Sequence, residues 1–114
     1  MDDLEKQRLA FLYHYSQRVM LADDKLFRQE IDALMDLNSA LTNAGLMQAD
    51  GTLRDSFVEA RDAARNGLRD RLDQGARREI LDQLIAVMDA DGERHPTEKA
   101  IIDEAAGVLG LSNP

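Results

Sequence analysis

The chain has 114 residues, of which 32% are charged and 44% hydrophobic, and it contains no cysteine. This size and composition are typical of one small folded domain with a single core. The absence of cysteine excludes a disulfide framework, thiolate catalysis and a sulfur-ligated zinc site. A formal net charge of −8 argues against general nucleic-acid binding.

Membrane insertion is also not expected. No apolar run approaches the roughly 18 to 20 residues that a membrane span needs. The N-terminal residues lack the basic and then apolar pattern of a signal peptide. We therefore expect a cytoplasmic protein.

Apolar residues recur with helical periodicity along the whole chain, and no segment alternates as a strand does. The spacing predicts a first helix from about Asp3 to about Ala22. A second helix, with Met35 on its apolar stripe, ends near Gly45, because glycine readily adopts the left-handed conformation at a helix end. The segment 45–51 is predicted to be a loop.

Two further helices are predicted after this loop. Thr52 followed by Asp55 resembles a capping box and predicts the start of a third helix, with Gly67 as a potential break within it. The apolar spacing then predicts a fourth helix over 76–88.

Proline and glycine frame the last predicted helix. Pro96 suits its first turn, where the missing N–H costs nothing, and Gly110 suits a Schellman-type end. Together the elements predict an all-α, single-domain bundle of about five to seven helices that covers the whole chain. Its parts are a first hairpin (about 3–44), a linker helix (about 52–74) and a second hairpin (about 76–110).

An internal repeat relates the two hairpins. Residues 19–30 and 87–98 are identical at five equivalent positions, namely Val19/Val87, Met20/Met88, Ala22/Ala90, Asp23/Asp91 and Glu30/Glu98. In both copies an apolar helix ends, an aspartate follows, and the next helix carries a glutamate near its start. The chain therefore resembles a duplicated helical hairpin.

The repeated acidic turns are the strongest candidate for a site. Aspartate at a helix C-terminus is locally unfavourable, because its charge lies at the negative end of the helix dipole. The same unfavourable placement at equivalent positions of both hairpins suggests a functional role. Clustered carboxylates are stabilised most by a hard divalent cation such as Ca²⁺ or Mg²⁺. The predicted ligands are Asp23, Glu30, Asp91 and Glu98, with Asp24, Asp89 and His95 as further candidates.

Each acidic residue also has a purely structural interpretation. Glu98 falls at the third helical position, where it can cap backbone N–H groups, and Asp91 with Gly92 is an ordinary turn pair. A standard EF-hand is not supported, because Val87 occupies the first ligand position and Arg94 the eighth loop position, where an aliphatic residue belongs.

The centre of the chain is rich in arginine. The segment between Thr52 and Arg78 contains seven arginines and five acidic residues. Its net charge is therefore about +2, and the remainder of the chain carries −10. It is either a solvated helix face with i,i+4 ion pairs or a docking surface for an acidic protein partner. The candidate partner-binding residues are Arg61, Arg65 and Arg69.

Catalysis has little support in the sequence. No serine lies in a nucleophile motif, no phosphate-binding loop is present, and His14 is interpreted as a half-buried or surface residue. We therefore expect no catalytic residues and no enzyme. The sequence leaves open whether the domain forms a homodimer.

The chain resembles the TerB-like (tellurite resistance) family over most of its length. The resemblance is carried by the pattern from Val87 to Glu98 and by Leu109, Gly110, Leu111 and Ser112. It implies an all-helical domain of two related halves whose acidic turns meet and bind divalent cations. It also implies a role in bacterial stress or tellurite resistance. The chain departs from the family pattern at Asp24, where glycine is usual, and in its arginine-rich centre.

Overall fold

A computed structural model describes residues 2–21, 28–89 and 96–111, except for the side chains of 21, 28–31 and 33. These residues form five helices, which confirms the all-α prediction. The helices are α1 (Asp3–Leu21), α2 (Arg28–Asn43), α3 (Asp55–Arg71), α4 (Gln74–Asp89) and α5 (Pro96–Val108). Within these described ranges, no helix has both the length and the apolarity needed to cross a bilayer.

Helix α1 is the centre of the bundle. It packs against each of the other four helices and makes its largest interface with α3. One apolar cluster joins α1, α3, α4 and α5, and includes Val19, Leu68, Leu84 and Ile102. A second cluster joins α1 and α3 to the end of α2, where the Tyr13 and Phe57 rings meet edge to face at 5.6 Å. Burying these faces around α1 is what holds the helices together.

The helix ends predicted near Gly45 and at Gly110 are confirmed, and both are Schellman motifs. The N–H of Leu46 donates to the Leu41 carbonyl at 2.9 Å, beyond the end of α2. The N–H of Leu111 donates to the Ala106 carbonyl at 2.8 Å, beyond the end of α5. In each motif the glycine between, Gly45 or Gly110, has a positive φ of 76° or 70°, which L-residues with a β-carbon rarely adopt.

The start of α3 differs from the prediction. The helix begins at Asp55 and not at Thr52, and its N-cap residue, Arg54, makes no side-chain cap. An antiparallel bridge between Met47 and Leu53 holds this segment extended, and the Arg54 N–H donates to the Leu46 carbonyl. These long-range backbone hydrogen bonds keep the residues before Asp55 out of the helix, although the sequence around Thr52 resembles a capping box.

Two expectations within helices are wrong. Gly67 does not break α3, which continues to Arg71. A β-carbon at 67 would overlap the Gln7 side chain, so the glycine allows α1 and α3 to approach closely. Met35, placed on an apolar stripe by the sequence, is 60% exposed because α2 lies at the edge of the bundle and packs mainly on α1.

Candidate functional site

The sequence repeat has a counterpart in the helix boundaries. Helix α1 ends at Leu21 and α4 ends at Asp89, 68 positions later. Helix α2 begins at Arg28 and α5 begins at Pro96, again 68 positions later. The two acidic turns therefore connect helices that end and begin at equivalent positions.

The helix directions bring equivalent ends together. Arg18, near the end of α1, pairs with Glu104 in the middle of α5, while Phe11, further back along α1, lines one cavity with Val108, the last residue of α5. Helix α5 therefore runs roughly opposite to α1. Arg77, in the first turn of α4, donates to a carbonyl just beyond the end of α5, so α5 also runs opposite to α4. It follows that α1 and α4 are roughly parallel and end at the same end of the bundle.

Glu98 is the predicted ligand that the structure describes most fully. It is the third residue of α5, and only 2% of its surface is exposed. A buried ionised carboxylate is costly unless N–H donors or a cation compensate its charge. Its burial beside the second turn is therefore compatible with either the capping or the cation-binding interpretation.

The other predicted ligands are described in part or not at all. Asp89 is the exposed last residue of α4, and Glu30 is the third residue of α2, equivalent to Glu98. Within the described residues, no three acidic or histidine side chains are grouped closely enough to hold a metal ion. The remaining candidates, Asp23, Asp24, Asp91 and His95, lie outside the described residues.

The three arginines predicted to bind a partner have different surroundings. Arg65 and Arg69 are exposed, while Arg61 is half-buried. Arg61 and Arg65 line a cavity with residues of α1 and α5. Arg69 is instead close to Gly110, where an added β-carbon would lie 3.0 Å from its Cδ atom.

The structure adds residues to this basic region that the sequence analysis did not select. Arg18 lies over the Tyr15 ring at 5.3 Å and pairs with Glu104. The Glu104 carboxylate is also close enough to Tyr15 to raise the pKa of its hydroxyl. His14 precedes Tyr15 and lines the same cavity as Arg61. In the sequence, the i,i+4 spacing of His14 and Arg18 indicates that the two residues share one face of α1. This spacing does not reveal that α3 and α5 pack beside that face.

The electrostatics of this region are reflected in three pKa values. Burial lowers the pKa of His14, and the nearby positive charges of Arg61 and Arg18 lower it further. Burial and, second, the neighbouring Glu104 carboxylate raise the pKa of Tyr15 to about 12. The hydrogen bond from Arg18 holds the pKa of Glu104 below its ordinary value. Positive charge therefore predominates around His14.

These features define a class of protein: a small all-α domain in which two equivalent interhelical turns start from one end of a bundle. The family model described as tellurite resistance protein TerB matches residues 10–114, nearly the whole chain. The chain therefore belongs to the TerB family, which confirms the resemblance seen in the sequence. Comparison with curated proteins and with solved structures gives no significant match.

Proposed function

We propose that this TerB-family domain binds a divalent cation, Ca²⁺ or Mg²⁺, through its two acidic turns. Its ligands are Asp23 and Glu30 from the first turn and Asp91 and Glu98 from the second. The domain acts in the cytoplasm in a bacterial stress or tellurite response. It performs no catalytic step, in keeping with a family whose domains are generally non-enzymatic.

The observation that carries this proposal is the parallel arrangement of α1 and α4. Because both helices end at the same end of the bundle, both turns start there, although their acidic residues are 68 positions apart in sequence. Carboxylates that these two turns bring together would repel one another, and a hard cation with oxygen ligands would relieve that repulsion. The burial of Glu98 at this end adds support, since a cation can compensate a buried carboxylate.

A divalent cation should therefore stabilise the native protein. Only the folded chain gathers both turns, so at a free cation concentration of about 100 times Kd the stabilisation should be about 2.7 kcal/mol. For a domain of this size the Tm should rise by roughly 10 °C. Thermal unfolding followed by circular dichroism, with EDTA or with millimolar Mg²⁺, Ca²⁺, Mn²⁺ or Zn²⁺, measures this shift. A preference for Zn²⁺ would indicate that His95 is a ligand.

The double variant Asp91→Asn, Glu98→Gln should lose the cation-dependent shift. The matched control is Asp32→Asn, Glu79→Gln, which makes the same chemical changes at two exposed positions on α2 and α4. This control should retain the full shift. If no cation changes the Tm of the wild-type protein, Glu98 is a helix cap, Asp91 is a turn residue and the proposal fails.

A second candidate function is cation-independent docking of a protein partner through the arginine-rich α3. Its support is the basic region that α3 forms with α1 and α5 in a chain whose net charge is −8. Partner capture that persists in EDTA would favour this function over one that depends on the cation. A homodimer is one form that such docking could take.

A further inference from the structure

A small cavity lies where α1, α3 and α5 meet. Its volume is about 20 Å³, which is enough for one water-sized group. Two lining residues are apolar and four carry polar or charged groups: Phe11, Val108, His14, Tyr15, Arg61 and Arg65. The cavity is thus a partly basic opening in the surface of an acidic protein.

The positive charges around the cavity are only partly neutralised. Glu104 pairs with Arg18, so its carboxylate is already engaged. Arg61 pairs with its chain neighbour Asp62, which is exposed to solvent, and such surface pairs are weak. Arg65 makes no ion pair within the part of the chain that the structure describes.

We propose that this cavity binds the carboxylate of a glutamate or aspartate in an acidic segment of a partner protein. The guanidinium groups of Arg61 and Arg65 hold the carboxylate, and one of its oxygens enters the cavity. This inference rests on the second candidate function, partner docking through α3, and is independent of cation binding.

Geometry and charge favour a carboxylate as the ligand. A space of about 20 Å³ admits one oxygen atom, so the rest of the anion stays outside and contacts the two guanidinium groups. Arginine guanidinium groups match the planar carboxylate and bind it through two parallel hydrogen bonds. The net charge of −8 disfavours nucleic acid, whose phosphates the rest of the surface would repel.

The test uses a fluorescein-labelled hexaglutamate peptide, the full chain and fluorescence anisotropy at low ionic strength, with EDTA present. Arg61→Gln and Arg65→Gln should each weaken peptide binding about tenfold, the loss expected for one charge-assisted hydrogen-bonding group. The matched control is Arg71→Gln, which removes the same charge from an exposed position of α3 outside the cavity. Its affinity should stay within about twofold of wild type.

A second readout reports on the cavity itself. A carboxylate bound beside His14 should raise the pKa of this histidine, because a nearby negative charge favours the protonated ring. NMR titration of the ring protons with and without peptide measures this change, with His95 as the reference. The charged side chains that act on His14 are Arg18 on α1, Arg61 and Arg65 on α3, and Glu104 on α5.

The outcomes separate the cavity from docking in general. If Arg71→Gln weakens binding as much as Arg65→Gln, docking stands but depends on the overall charge of α3, and the cavity proposal is wrong. If wild type does not bind the peptide, both the cavity and α3 docking are wrong. If inorganic phosphate displaces the peptide at lower concentration than acetate does, the cavity prefers tetrahedral anions and the carboxylate proposal is overturned.

Discussion

Replacing Ile102 by alanine should lower the free energy of unfolding by about 2–5 kcal/mol. Ile102 is 1% exposed and belongs to the larger apolar cluster, so truncation removes buried methyl groups and leaves a cavity that neighbours fill only in part. It lies one helical turn after Glu98 on the buried face of α5, so the same packing also positions this carboxylate. Chemical denaturation in urea measures the loss.

Two controls accompany this substitution. Ile102→Val removes one methylene and should cost about 0.5–1.5 kcal/mol. Met35→Ala, at a residue that is 60% exposed, should change stability by less than about 0.5 kcal/mol. A loss at Met35 comparable to that at Ile102 would mean that α2 is more deeply packed than the fold shows.

Replacing Gly110 by alanine should destabilise the protein by about 1–3 kcal/mol. Gly110 has φ of +70°, and an added β-carbon would lie 3.0 Å from both Arg69 Cδ and Arg77 Nη1. The Arg77 guanidinium donates to the Leu109 carbonyl at 2.9 Å, so displacing it also disturbs the link between α4 and the end of α5. The urea unfolding midpoint measures the effect.

Gly107→Ala is the matched control for this substitution. It lies three positions earlier within α5, and an added β-carbon would meet no atom within 4 Å. Because alanine is the better helix former, this variant should gain about 0.5–1 kcal/mol. Equal effects at the two glycines would contradict the helix end as described.

The sequence predicted the features that depend on local chemistry. Pro96 starts α5 and Gly45 and Gly110 follow helix ends, because one residue's backbone preference decides each boundary. The repeat predicted two turns at equivalent positions, and the helix boundaries agree with it. Periodicity alone was sufficient for the all-α class.

Features that depend on distant segments could not be predicted in this way. The start of α3 moved from Thr52 to Asp55 because hydrogen bonds to Leu46 and Gln48 hold the preceding residues extended. The basic cavity combines residues from α1, α3 and α5, and nothing in the local pattern places His14 beside Arg61. The convergence of the four carboxylates also depends on segments that are distant in sequence, and it stays a prediction.

Paramagnetic broadening by Mn²⁺ tests most directly whether one cation joins the two acidic turns. Trace Mn²⁺ added to ¹⁵N-labelled protein should broaden the amide signals of Leu21 and Arg28 and those of Asp89 and Thr97 over the same concentration range. Excess Mg²⁺ should restore all four signals, and Glu98→Gln should abolish the broadening at both turns. Broadening at one turn alone, or at two turns with different concentration dependences, would contradict a shared site.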